Sequence, residues 1–235
     1  NSIWAVTEET YQISDTITAT LDSDGTFTIS GTGDMPDYRY TYNVPWGGQP
    51  IKKVIVEEGI TKIGKYNFTE LTSLTEVSLP DTITQIGEAA FYGCTSLTSF
   101  VVPKDVKLID YGAFGNCYAL SDIELNEGLE EIGAYAFQNV IVTSVTLPST
   151  LKDYGAHPFF SVDTIKEYKV AEGNEFFYTD EYGVLYEIKG DYTYLDAYPP
   201  ASTLDSYTIP DGIISIGTNG FANAKNLKNI DIPES

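Results

Sequence analysis

Carboxylates are the most abundant reactive groups in this 235-residue chain, where 34 acidic side chains against 13 basic ones leave a formal charge of −21. Paired Asp and Glu can hydrolyse a glycoside or bind calcium. The run Asp22-Ser-Asp-Gly25 carries half of a calcium loop but no bidentate Glu at its end, so it reads as a hairpin turn. His157 is the single histidine and hence the one imidazole that could act as a base near neutral pH. No Gly-x-Ser-x-Gly elbow accompanies it, so it reads as a surface substitution. Cys94 and Cys117 lie 23 residues apart. With two cysteines and one histidine the chain lacks the ligands of an ordinary zinc site. Gly31-Thr-Gly33 has neither the third glycine nor the Lys-Ser/Thr pair of a phosphate loop, and reads as a turn. No catalytic residue, metal or cofactor is expected.

The charge balance bears on partners. Nucleic acid binding needs Lys and Arg to displace phosphate counterions, and no basic cluster exists, so nucleic acid is an unfavourable partner. No apolar run approaches the ~20 residues that cross a bilayer, and Asn1-Ser-Ile-Trp-Ala-Val has no charged segment leading into an apolar one. No membrane insertion is expected of this segment. The excess of carboxylates suits a solvated surface that stays apart from anionic envelopes.

What must position these residues is a repeat. The pattern apolar-x-x-apolar-x-apolar begins at Ile51, Leu74, Leu97, Leu120, Val142, Ile165, Leu204 and Leu227, with spacings of 23, 23, 23, 22, 23, 39 and 23. Pro80, Pro103, Pro148, Pro210 and Pro233 follow five of these segments, where a missing N–H ends strand pairing. An aromatic recurs 17 residues after six of the starts, as Phe68, Phe91, Phe114, Phe137, Phe159 and Phe221. Gly64, Gly87, Gly133, Gly155 and Gly217 share one offset that Asp110 also fills, which predicts positive φ or a close backbone approach there. A 23-residue unit cannot bury its own apolar face, whereas stacked units make one continuous core, so the chain predicts a solenoid with a parallel sheet along one side. The second half of each unit, such as Ile86-Gly-Glu-Ala-Ala-Phe91, reads as a turn plus a short helical or 3₁₀ return. Cys94 and Cys117 then belong to a buried ladder of free thiols, and a non-reducing mass measurement showing a bridge would refute this.

Residues 1–50 lack the repeat and hold a hairpin candidate, Thr16–Thr20 with Thr26–Ser30, suited to cap the solenoid end that begins at 51 and runs to 235. The 16 extra residues after Val170 predict a small β-hairpin excursion over 171–203, with strand-like runs at Phe176, Val184 and Tyr192 separated by turns. The last repeat stops just after a strand, which suggests a truncated segment.

The repeated Leu79-Pro-Asp-Thr-Ile-Thr-Gln-Ile-Gly-Glu-Ala-Ala-Phe-Tyr-Gly-Cys-Thr-Ser-Leu97, with weaker copies at 102–120, 125–137 and 209–221, resembles the BspA-like leucine-rich-repeat proteins of bacterial surfaces. So do the run Asn174 to Tyr186 ending in Tyr198-Pro, and Asp24 to Met35 with Pro45-Trp46. The resemblance implies an α/β leucine-rich-repeat solenoid, secretion or cell-surface display, and non-enzymatic adhesion or recognition of an extracellular or host protein. A carbohydrate-binding module or glycan-processing accessory is the alternative.

Two surfaces could make such contacts. Alternation puts the third and fifth residue of each repeat strand outward: Glu76/Ser78, Ser99/Val101, Asp122/Glu124, Ser144/Thr146, Glu167/Lys169, Ser206/Thr208 and Asn229/Asp231. Hydroxyls and carboxylates in rows suit a polar ligand, though they also suit plain solvation. The second surface is the tyrosine set Tyr178, Tyr182, Tyr186, Tyr192, Tyr194 and Tyr198, with Tyr38, Tyr40 and Tyr42 in the cap, each offering a flat ring with a polar tip. Exposed rings in one plane favour a glycan; a flat hydroxyl and carboxylate sheet favours a protein.

Overall fold

A computed structural model describes residues 8–234; residues 1–7 of the expected cap and Ser235 lie outside the described residues. Each repeat forms one coil of a nearly all-sheet solenoid. The apolar positions alternate inward along short strands, as in Ser144–Leu147, where Val145 and Leu147 are buried and Ser144 and Thr146 exposed. Equivalent strands pair in parallel without slippage: Lys53 opposite Glu76, Ser99 opposite Asp122, Ser144 opposite Glu167, Ser206 opposite Asn229. These strands do not form one uninterrupted sheet. Several are three residues long and closely followed by proline, and the ladder divides into separate parallel groups. A second parallel sheet, which the periodicity did not suggest, runs along another side through Ile60–Ile63, Gln85–Ile86, Leu108–Ile109, Glu131–Ile132 and Asp153–Tyr154, with Gly33–Asp34 at its edge.

Among the described residues the return half of each coil holds no helix, contrary to the helical or 3₁₀ expectation. In five successive coils two residues of the return adopt positive φ, at Tyr66 and Glu70, Ala89 and Gly93, Gly112 and Asn116, Tyr135 and Asn139, His157 and Ser161. A helix cannot pass through them. Alternate N–H groups point forward along the solenoid instead: Tyr66, Phe68 and Glu70 donate to Glu88, Ala90 and Tyr92 of the next coil at 3.0, 2.8 and 2.6 Å. The coils beginning at Leu74, Leu97 and Leu120 repeat this triplet, so the backbone donors are satisfied between coils rather than within them.

The shared glycine offset answers to close approach. None of Gly64, Gly87, Gly133, Gly155 or Gly217 has positive φ. A Cβ on Gly133 would lie 2.5 Å from the Tyr111 nitrogen, and one on Gly155 2.5 Å from the Ala134 nitrogen. The left-handed positions fall two residues later, on side chains that include Tyr66 and His157.

Inside, Phe68, Phe91, Phe114, Phe137 and Phe159 stack face to face with centroids 5.2, 5.3, 5.4 and 5.0 Å apart. Such pairs add about 0.5–1.5 kcal/mol each beyond the area they bury. Cys94 and Cys117 are buried free thiols that donate to the Phe68 and Phe91 carbonyls at 3.1 and 3.2 Å. At the N-terminal end, the antiparallel strands Glu9–Gln12, Ile17–Leu21 and Thr26–Gly31 join the repeat when Thr26–Gly31 pairs in parallel with Lys53–Val56. Trp46 closes the core there, its ring 4.9 Å from Phe27 and its indole N–H donating to the Asn67 carbonyl at 2.8 Å. Asp22 Oδ1 accepts the Asp24 and Thr26 N–H groups at 3.0 and 2.8 Å and so closes the hairpin.

The excursion pairs Phe177–Thr179, Leu185–Lys189 and Tyr192–Ala197 antiparallel, then takes in Ile213–Ile216 in parallel. Here the expectation of one continuous core needs correction. The four-stranded sheet separates a large cluster, from Ile17 to Leu185, from a smaller one of Val184, Tyr186, Leu195, Tyr198, Tyr207 and Ile209. Tyr198 acts as the missing ring of the sixth unit: it stacks on Phe221 at 5.2 Å and donates its N–H to Gly220 at 2.6 Å, as Phe68 does to Ala90.

Candidate functional site

The strand side presents two parallel rows. One carries Lys53, Glu76, Ser99, Asp122, Ser144 and Glu167; the other carries Ile55, Ser78, Val101, Glu124, Thr146 and Lys169. Alternation fixes the direction of these side chains, and the buried partner of each anchors it: Phe100 lies between Ser99 and Val101, Val145 between Ser144 and Thr146. Glu76, Ser78, Ser99, Asp122, Glu124, Ser144 and Thr146 are all exposed on this face. Glu76 is ion-paired with Lys53 at 2.6 Å, and Glu167 with Lys169 at 2.7 Å. In the middle of the face, Asp122 and Glu124 project beside Ser99 and the two-thirds exposed Val101. The arrangement offers hydrogen-bond acceptors and hydroxyls around an apolar contact, with a hollow of about 460 Å³ beside Ser78, Val101 and Glu124.

The tyrosines divide. Tyr182 and Tyr192 are about half exposed, at 48% and 57%. Tyr194 is half-buried under the Lys189 ammonium, 5.7 Å from its ring centre. Tyr178 lies flat on Tyr186 at 4.9 Å with one face free, and burial raises its phenol's pKa. Tyr186 leaves the contact set: it is 0% exposed, its hydroxyl bonded to Tyr207 and to Asp180. The four-stranded sheet lies between two apolar clusters, so the face that carries Tyr186 is covered, which the residue types alone did not reveal. In the cap, Tyr38 packs edge-on against Trp46, while Tyr40 and Tyr42 stack on each other at 5.2 Å and stay exposed.

A surface that sequence reasoning missed lies on the return side. Tyr66, Tyr92, Tyr111 and Tyr135 surround a groove of about 330 Å³ with Glu88, which is paired to Lys65 at 2.6 Å. Tyr111, Tyr135 and Phe160 meet edge to face, at 76° and 88°. The available signal was the clustering of tyrosine at non-core offsets of successive returns. His157 sits on this side at φ +48°. Among the described residues no three His, Cys, Asp or Glu side chains converge on a metal-sized site.

A family model for the BspA type leucine rich repeat region matches residues 46–166 and 196–235 in six copies, breaking off at the excursion. The chain belongs to the BspA-type leucine-rich repeat family. Its fold is similar to a leucine-rich repeat protein from Eubacterium ventriosum, at 32% identity and TM-score 0.77, over 96% of this chain and 60% of that one. It is also similar to the pneumococcal vaccine antigen PcpA, at 19% identity and TM-score 0.74, over 98% of this chain and 66% of that one. A leucine-rich cell surface protein from Faecalibacterium prausnitzii matches at 20% identity and TM-score 0.64, over 96% and 76%. No curated protein matches the chain. The chain thus spans about three fifths of the first of these structures and 66% of the second. Leucine-rich repeat solenoids of this BspA type are typically non-catalytic scaffolds whose extended surfaces serve protein interaction.

Proposed function

We propose that this chain is a non-enzymatic recognition module, secreted or displayed on a bacterial surface, that adheres to an extracellular or host protein through its strand face. The observation that carries this reading is the pair of exposed rows centred on Asp122 and Glu124, held in register by parallel pairing with Ser99 and Val101. Such a face engages many partner groups at once, and its carboxylates steer a basic partner patch toward it. Display at the surface is supported by the family and by one structural relative described as a cell surface protein. A glycan platform is the second reading. The near-perpendicular rings of Tyr111, Tyr135 and Phe160 give no common plane for sugars to lie on, which favours a protein partner.

The test is binding of labelled protein to an array carrying matrix proteins and glycans, alongside the double variant Asp122→Lys, Glu124→Lys. Selective protein binding, weakened at least tenfold in the variant with the melting temperature held, supports the reading. Binding that survives the double variant and disappears with Tyr178→Ala, Tyr182→Ala and Tyr192→Ala moves the contact to the excursion.

A further inference from the structure

The forward hydrogen-bond triplet of the return arcs is lost entirely at the junction after the coil that begins at Val142. In the coils beginning at Ile51, Leu74, Leu97 and Leu120, three alternate N–H groups reach carbonyls of the coil ahead. Their equivalents in the next coil are the N–H groups of His157, Phe159 and Ser161, and among the described residues none of these has an acceptor. Where the acceptors would stand, the excursion has pushed the chain aside and a cavity of about 320 Å³ opens, at the lower end of the roughly 300–1,000 Å³ typical of small-ligand sites. The aromatic ladder breaks at the same place: Phe159 and Tyr198 both line the cavity, and Phe221 stacks on Tyr198 instead of continuing from Phe159.

The repeat changes its residue types here. Tyr154 stands where other coils have Ile63, Ile86, Ile109 and Ile132, while Tyr168 shares its offset both with Val54, Val77, Ile123 and Val145 and with the rings of Phe100 and Tyr207. Tyr168 is only 4% exposed, lines the cavity and has no hydrogen-bond partner for its hydroxyl among the described residues. Asp196, on the last strand of the excursion, also lines the cavity, and its carboxylate makes no hydrogen bond among them either. Its charge acts on both phenols, which places it beside them. The Tyr168 hydroxyl, the Asp196 carboxylate and the three backbone donors are open to the cavity rather than sealed in the core, where a polar group would need a protein partner: Ser161 is exposed, and His157 and Asp196 are half-buried. Donors and acceptors face the same space between aromatic rings. A cation would meet the positive ends of the three N–H dipoles and an anion would meet Asp196, while a hydroxyl group both donates and accepts.

We propose that this cavity binds one unit of a neutral polyhydroxylated ligand, a single hexose-sized sugar whose hydroxyls accept from the His157, Phe159 and Ser161 N–H groups and donate to Asp196. The volume admits one residue, either free or at the end of a glycan. This site lies on the return side, away from the strand face, and stands or falls independently of it.

Burial pushes the Asp196 carboxyl up to about 6, with Glu187 adding repulsion and Lys189 opposing it. Lys189 is held by Glu187 at 2.9 Å, and the other titratable groups that line the cavity with Asp196 are Tyr154, His157, Tyr168 and Tyr198. Ligand hydroxyls donate to the ionised form, so affinity falls as pH drops below about 6.

The experiment is saturation-transfer NMR and calorimetry on the whole chain with a panel of methyl hexopyranosides, with cyclohexanol as the apolar ring control and butylammonium as the cationic one. At least one methyl hexoside binds with a dissociation constant on the order of 1 mM and cyclohexanol does not. Asp196→Asn and Tyr168→Phe, both folded by circular dichroism, weaken it at least fivefold. His157→Asn, which keeps a residue tolerant of positive φ, preserves the loss of affinity at low pH. Tighter binding of a matching oligosaccharide identifies a glycan end as the source; equal binding identifies the free sugar. Silence across the panel, preference for butylammonium, or hexoside binding unchanged in both variants overturns the proposal. Asp122→Lys, Glu124→Lys leaves hexoside binding intact, so a failure of the strand face does not register in this assay.

Discussion

The Tyr207 hydroxyl donates to the Asp180 carboxylate at 2.5 Å, joining the strand Ser206–Thr208 of the seventh unit to the first turn of the excursion. Asp180 uses its other oxygen within that turn, accepting the Tyr182 and Val184 N–H groups at 2.9 and 3.0 Å. Burial and Asp180 together hold the Tyr207 phenol far above its ordinary range. One carboxylate therefore closes the hairpin and docks the next coil.

Replacing Asp180 by Ala leaves two N–H groups and one O–H of the Tyr186–Tyr207 pair without an acceptor, and is expected to cost about 2–4 kcal/mol of stability in urea unfolding. Tyr207→Phe removes one donor and leaves the hairpin closed, so its cost is expected near 1–2 kcal/mol. Equal costs for the two would show that the turn does not depend on Asp180.

Two neighbouring offsets of the repeat respond in opposite ways to a methyl group. Gly133→Ala sets a Cβ 2.5 Å from the Tyr111 nitrogen, a clash with backbone that only separation of adjacent coils relieves. A loss of about 2 kcal/mol or more is expected. Ala89→Gly removes a methyl from a residue at φ +49°, where relief of strain offsets the entropy of glycine, and stays within about 1 kcal/mol of the parent. Thermal melts of both variants, side by side, distinguish close approach from positive φ as the reason for the glycine column.

Asp196 gives the apo protein a pH-dependent weakness. Its folded carboxyl titrates near 6 against an ordinary 3.8, so the folded state holds the proton more tightly. The sign follows: its contribution to stability is present below pH 3.8, falls as pH rises to about 6, and stays lost above. Asp196→Asn escapes this, and relative to the parent it gains about 3 kcal/mol at most between pH 3.5 and pH 7. A difference that does not change with pH would mean that Asp196 is hydrated in solution.

The strand rows were legible because side chains alternate with period two and the repeat gives many copies of the same alternation; Ser99, Asp122 and Ser144 could be placed outward from spacing alone. The ring ladder and the thiol column were legible for the same reason. The helix expected in the return was not corrected by residue type, since Ala89 and Tyr135 are ordinary side chains that adopt positive φ in an arc whose N–H groups reach the neighbouring coil. Tyr186 looked like a contact residue until the four-stranded sheet covered it.

By itself the sequence determined the period, the inward and outward sets, and therefore the solenoid, because a fixed spacing of apolar residues has one way to bury them all. Only the tertiary structure decided what happens where the period breaks. There the excursion strands, 16 residues longer than the repeat allows, take up the sheet hydrogen bonds and hold adjacent coils away from each other. Which donors lose their partners in that gap, and that Asp196 and Tyr168 turn into it, depends on how the strands pair in space, and no local spacing encodes it.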